Sequence, residues 1–171
     1  MERSKKIVIL AHCILNQNSV VIPYAREMKI FKPFIEKCLD ENIGILQLPC
    51  PEKALYGLKR WGHVKDQFEH PGFINPAKES LKSFIEEIKE YIANGYEILG
   101  VYGIKGSPSC GVSLTCRADW CGEASNYKDL EDIKSRVSMV EEMGIYMELF
   151  KQLLEESKIF IEFIDIEDKL C

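Results

Sequence analysis

The sequence predicts one compact α/β domain, Rossmann-like, with a mainly parallel sheet of about four strands and helices on both faces. Three observations predict it. Short continuous apolar runs recur along the chain, amphipathic stretches fall between them, and 171 residues that are 46% hydrophobic can bury a proper core. Strands alternating with helices are joined by right-handed crossovers, which make the strands parallel.

The first strand is read at residues 7–11 (IVILA), an apolar run suited to burial on both faces. Residues 43–48 (IGILQL) and 98–104 (ILGVYGI) repeat that pattern, while 159–166 (IFIEFIDI) alternates more and belongs nearer an edge. Residues 33–41 read as a helix, with Phe34, Ile35, Cys38 and Leu39 on one face and Pro33 in its first turn. The clearest helix is 76–93, where Leu81, Phe84, Ile85, Ile88, Tyr91 and Ile92 form a stripe between Asn75-Pro76 and Asn94-Gly95. A third helix precedes the last strand, with Met147, Phe150, Leu153 and Leu154 turned inward. Residues 51–75, and 111 to about 132, fit no element; each follows a strand, and loops of that length are usually functional. With no internal repeat, low-complexity segment or linker, residues 1–171 read as one domain.

The net charge is −5 and no strongly basic face is evident, which argues against nucleic acid as the main partner. No segment reads as a membrane span, and Met1-Glu-Arg-Ser-Lys-Lys runs into the first strand without a signal-peptide core. The expectation is a cytoplasmic protein whose seven cysteines stay reduced; an odd count also argues against a disulfide framework.

In an open parallel sheet, ligands bind beyond the C-terminal ends of the strands. Cys13 and Cys50 each lie two residues past a predicted strand, and Cys110 lies six past the third, so three distant thiols converge on one edge. Pro49-Cys50-Pro51 is expected to exclude a regular helix or ladder and to fix a rigid turn. Ser107-Pro108-Ser109-Cys110-Gly111 reads as a turn whose hydroxyls and backbone N–H groups face a thiolate or a cluster sulfide. Three thiolates without a neighbouring histidine suit an iron–sulfur centre or zinc better than magnesium or calcium. Two alternatives stand beside a cluster: a zinc-holding structural or binding module on the same cysteines, and a metal-free thiol enzyme with Cys110 as nucleophile. Of the other cysteines, Cys38 falls on a buried helix face, Cys171 is the last residue, and Cys116 and Cys121 form C-x4-C in the second long loop. That pair could supply a fourth ligand, close a lid, or do neither.

These motifs resemble the 2-thiouracil desulfidase (TudS-like) family. The likeness rests on Ala11-His12-Cys13-Ile14-Leu15, Cys50-Pro51-Glu52 and Ser107-Pro108-Ser109-Cys110-Gly111, in matching order and strand context from Lys6 to the last strand. The resemblance implies a compact α/β domain carrying a 4Fe–4S cluster on Cys13, Cys50 and Cys110 only, with the fourth iron open to a thiocarbonyl sulfur. It implies a desulfidase acting on a small thiolated compound of the nucleobase or nucleoside class, releasing hydrosulfide without net redox change. Glu52 would be the acid/base, and Ser107 and Ser109 would orient substrate or bond to cluster sulfur. The chain differs from the family in Lys53–Gly62 (KALYGLKRWG) and in a longer stretch after Cys110.

Other residues carry two readings. His12 is expected to point away from the ligands, and His63 and His70 to lie in a loop, with His63 able to line the pocket. Tyr56, Trp61 and Trp120 could stack on a heterocycle or pack under the loops. Arg60 and Arg117 could meet an anionic substrate or a partner carboxylate, with surface solvation the default.

Overall fold

A computed structural model describes residues 3–170. In chain order its elements are β1 (Lys6–Leu10), α1 (His12–Leu15), α2 (Lys32–Asp40), β2 (Gly44–Gln47), α3 (Pro51–Tyr56), α4 (Pro71–Ala93), β3 (Glu97–Gly103), β4 (Thr115–Arg117), α5 (Leu130–Ser135), β5 (Ser138–Val140), α6 (Ile145–Glu156) and β6 (Phe163–Asp165). Cys171 lies outside the described residues.

The main sheet has the order β2-β1-β3-β6, and all its pairings are parallel. This is the doubly wound arrangement that the alternating pattern predicts, flanked by helices. Ile7, Val8, Ile9 and Leu10 of β1 are almost wholly buried because β1 is interior and covered above and below. The apolar run of β2 looks much the same in sequence, yet β2 is an edge strand and its Ile45, Leu46 and Gln47 are only half-buried. Burial on both faces is thus corrected for β2: composition reports the faces of a strand, not what lies beside it. The last strand is an edge, as expected, but shortens to Phe163–Asp165.

Two helix starts also differ from expectation. α4 opens at Pro71 rather than at Asn75-Pro76, with His70 as N-cap and Pro71 in the first turn. Pro76 sits inside the helix, where it donates no hydrogen bond to the Gly72 carbonyl. The helix persists because Phe73 and Ala77 continue the buried stripe of Leu81, Ile85 and Ile88. α3 begins immediately after Cys50, against the expectation that Pro49-Cys50-Pro51 excludes a helix. Proline suits a first helical position, because the N–H it lacks has no partner there anyway.

The second unassigned stretch is a small flap. β4 and β5 pair antiparallel, Cys116 opposite Met139, with α5 inserted between them. Strands of three residues leave too little periodicity to read. Ion pairs pin the flap to the body. Arg117 bonds Asp66, Glu69 and Glu142 at 2.8–2.9 Å, and the buried Lys65 Nζ reaches Glu142 at 3.1 Å and Glu148 at 2.9 Å. Arg117 therefore meets carboxylates of its own chain. Among the described residues no helix is long and apolar enough to cross a membrane.

Candidate functional site

In the order β2-β1-β3 the chain winds outward in one direction from β1, then returns to its other side, and such switch points form crevices at the C-terminal strand ends. Cys13, on α1, leaves β1; Cys50 leaves β2; Cys110 follows β3. The three thiols are close enough to act on one another. Burial, then Cys50 and Glu52, push Cys13 up to about 12. Cys110, 7% exposed, is raised well above the ordinary thiol range by burial and by Cys13, with Ser109 opposing. Burial raises Cys50 too, against the N–H of Lys53, which donates to its Sγ at 3.4 Å. Burial favours the protonated form of a thiol, and a metal ligand must give up that proton.

Each cysteine is held by its own local device. Cys50 is the N-cap of α3, so its sulfur faces the free N–H groups of a first helical turn. The Cys13 carbonyl accepts from Gln17 Nε2 at 2.7 Å, and Gln17 Oε1 accepts from the Arg26 N–H at 2.7 Å, which fixes the turn after α1. The Cys110 turn is closed by Cys110 N–H donating to Ser107 Oγ at 3.0 Å and Gly111 N–H donating to the Ser107 carbonyl at 3.1 Å.

That turn in turn caps α6. Ile145 N–H donates to the Pro108 carbonyl at 3.0 Å and Tyr146 N–H to the Ser109 carbonyl at 2.9 Å, so orphan donors of the helix start are satisfied by the cysteine loop. The approach is close enough to require glycine. A Cβ on Gly144 would lie 2.5 Å from the Ser109 carbonyl carbon, and one on Gly111 would lie 2.1 Å from the Leu114 oxygen. Gly144→Ala is therefore expected to cost on the order of 2–3 kcal/mol through overpacking, and to move the Cys110 turn. Urea unfolding checks the first expectation, and thiol accessibility to a small alkylating reagent checks the second.

Glu52 occupies the first turn of α3 and is 8% exposed. Its Oε1 accepts the Ser109 hydroxyl at 2.6 Å and its Oε2 accepts from Arg60 Nε at 3.1 Å. Arg60, whose side chain is 4% exposed, also donates to the carbonyls of Ser19 at 2.8 Å and Gly57 at 3.2 Å. Arg60 is thus a buried partner of Glu52 rather than a solvated cation. Ser109 Oγ lies 3.5 Å from Cys110 Sγ and 3.4 Å from Ser107 Oγ. The structure thereby gathers the sequence-predicted Cys13, Cys50, Cys110, Glu52, Ser107 and Ser109 at one end of the sheet.

A group bound to these thiols must fit their spacing. Among the described residues no three His, Cys, Asp or Glu side chains stand close enough to hold a single metal ion. The donor set is three thiols, Cys110 buried and Cys13 and Cys50 half-buried, with the Lys53 N–H behind Cys50 and the Ser109 hydroxyl behind Cys110, and sulfur donors of this kind suit soft metals rather than magnesium or calcium. The groups acting on the Cys110 thiol, after burial, are Cys13, Ser109, Cys50 and Glu52.

Compared with known proteins, the chain is 36% identical over 110 residues to the uncharacterized protein MJ0003 of Methanocaldococcus jannaschii, covering 64% of this chain and 70% of that one. The chain belongs to the MJ0003 family. No family model and no solved structure matches it.

In this member of the MJ0003 family several remaining residues take definite places. His12 turns toward Asn16, 3.4 Å away, and its pKa is lowered by burial and then by Lys53. His63 stacks on Tyr56 with centroids 4.8 Å apart, in an aromatic column that continues through Phe68 and Phe73. Trp120, half-buried within the flap, donates from Nε1 to the Ile133 carbonyl of α5 at 3.0 Å, whereas Trp61 is 87% exposed. His70 is exposed, Cys38 is buried in the core, Cys116 is half-buried beneath the His63 carbonyl, and Cys121 is exposed. Sequence reasoning missed Asp165. This buried carboxylate at the end of β6 accepts from the N–H groups of Val112 and Ser113 at 3.0 Å and from the Ser113 hydroxyl, anchoring the chain just past Cys110. An acidic residue closing an apolar strand was the available signal. Gln17 and Gly144 gave none, since their roles exist only in three dimensions.

Proposed function

We propose that this protein is an iron–sulfur-dependent desulfidase that replaces the sulfur of a small thiocarbonyl compound, of the thiolated nucleobase or nucleoside class, with oxygen from water. The observation that carries the reading is the convergence of three thiols, Cys110 buried and Cys13 and Cys50 half-buried, from the ends of β1, β2 and β3 beside a buried carboxylate bonded to Ser109. Cys13, Cys50 and Cys110 would hold a 4Fe–4S cluster, which would supply a Lewis-acidic iron to draw the sulfur from the substrate.

The chain's own residues supply the rest. Glu52, as a carboxylate, offers about four acceptor directions. Ser109 and Arg60 occupy two of them, which leaves room to accept a proton from water or from a substrate nitrogen. Arg60 holds the carboxylate in place from behind, and Ser109 aims it from the cysteine side. Ser107 keeps its hydroxyl beside Ser109 while accepting from the Cys110 N–H, so both serines can orient a planar substrate or bond to sulfide. The overall exchange turns C=S and water into C=O and hydrosulfide, with no electron gained or lost.

The test is reconstitution with iron and sulfide without oxygen, followed by iron analysis, visible absorption and incubation with 2-thiouracil. A brown protein that releases hydrosulfide and forms uracil is expected. A colourless protein with one tightly bound zinc, or a cluster-loaded protein inert toward every thiolated base and nucleoside offered, overturns the reading.

A further inference from the structure

The stretch Lys53–Gly62, where the chain departs from the desulfidase pattern, ends α3 and leads into His63. Glu52 and Tyr56 stand four residues apart on α3, so they share one face of that helix. Side chains of a helix lean toward its N-terminus, which tilts Tyr56 back over the turn that holds Glu52. The ~6 Å of helix axis between them is a span that a single six-membered ring can cover. Burial and then the Glu52 carboxylate raise the Tyr56 phenol, in keeping with that neighbourhood. His63 stacks on Tyr56 with 29° between the ring planes, and the fully buried Phe68 and Phe73 back the stack. The backbone is fixed on both sides: Arg60 Nη1 donates to the Gly57 carbonyl at 3.2 Å, and the Val64 N–H donates to Gln67 Oε1 at 3.1 Å. The imidazole is thus held beside Glu52.

The stack itself does not call for a histidine. Its ring contacts with Tyr56 and Phe68 would serve a phenylalanine as well. The nitrogens are a liability instead: among the described residues, His63 Nδ1 is the buried side-chain nitrogen or oxygen without a hydrogen-bond partner. Buried polar atoms are almost always paired, and one that is not asks for a use outside the fold. The residue as a whole is half-buried, so Nε2 is the nitrogen that a ligand can reach. Burial lowers the His63 pKa, with Glu52 opposing, so the ring is neutral near pH 7 and can donate or accept. We propose that His63 is the residue that sets the pose of the substrate, its Nε2 bonding the polar edge of the ring remote from the sulfur while Tyr56 keeps the imidazole in place. The inference rests on the desulfidase reading and adds to it the group that recognises the ring.

Steady-state kinetics with 2-thiouracil and calorimetric binding of its product uracil, both on the reconstituted protein, test it. His63→Phe keeps the stack and removes the nitrogens. It should raise KM and weaken uracil binding by about five- to tenfold, the worth of one hydrogen bond, with kcat changed less than KM. Its iron content should equal that of the wild type, because no thiol is touched, and its urea midpoint should hold or rise, because the unpaired atom is gone. His63→Gln should give the opposite pattern. Its amide nitrogen takes the place of Nε2 and should return KM and uracil affinity to within about twofold of wild type, while loss of the stack lowers the urea midpoint. His63→Phe with the KM and uracil affinity of the wild type, or His63→Gln no better than His63→Phe, overturns the inference and leaves the desulfidase reading standing. A cluster-loaded wild type that neither turns over 2-thiouracil nor binds uracil removes that reading, and the inference falls with it.

Discussion

Replacing Cys110 by serine is expected to yield a folded protein that takes up little or no iron on anaerobic reconstitution. The loss follows from chemistry, because a buried serine hydroxyl does not ionise to give a soft ligand in place of a thiolate. The fold survives because the change is nearly isosteric and the turn is closed by other atoms: Ser107 Oγ, the Ser107 carbonyl, and the α6 N–H groups that hold Pro108 and Ser109. The cost to stability should be about 1 kcal/mol, near the centre of the distribution for single substitutions. Cys13→Ser and Cys50→Ser should behave alike. Cys38→Ser is the control, since its thiol is buried in the core. It should lose on the order of 1–3 kcal/mol for an uncompensated hydroxyl while keeping full iron uptake. Iron analysis with urea unfolding on all four variants separates ligation from stability. Unchanged iron in the three site variants would remove the ligand assignment.

The two kinds of residue in that comparison also show where the sequence is readable. Cys38 could be placed in the core because its helix repeats apolar residues at the helical period, and Cys13, Cys50 and Cys110 at the site because each follows an apolar run. Both inferences use short-range pattern, and β1, β3 and α6 fall out of the same reasoning. What could not be read depends on neighbours distant in sequence. The run at β2 is largely apolar like that at β1, but the strand order makes one an edge and the other interior. Arg60 looks like any loop cation until Ser19 and Glu52, 41 and 8 residues away, close around it. Asp165 is 52–53 residues from the amides it holds. Pro51 shows a different failure, in which a local rule was applied at the wrong position: proline breaks helix interiors but favours helix starts.

The second large effect is expected at Arg60, where Arg60→Met should destabilise the protein by about 3–5 kcal/mol, the usual consequence of removing one partner from a buried ion pair. For a domain of this size that corresponds to a fall in Tm on the order of 10 °C. The argument is one of compensation. Glu52 would keep the Ser109 hydroxyl but lose the Arg60 cation, and the Ser19 and Gly57 carbonyls would lose their Arg60 donors. Glu52→Gln should cost less, because the amide oxygen still accepts from Arg60 and the amide nitrogen can donate to Ser109 Oγ. With both changes combined, no unpaired charge remains inside. The double variant should therefore be more stable than the sum of the single effects implies, by on the order of 1–3 kcal/mol, within the range for residues sharing one network. Urea unfolding of the four proteins gives that coupling directly, and an Arg60→Met loss below about 1 kcal/mol would mean the pair is solvated in solution. Because none of the three thiols is touched, Arg60→Met kept cold enough to stay folded should still take up iron. Desulfuration should fall nonetheless, since the carboxylate would no longer be held against Ser109 from behind.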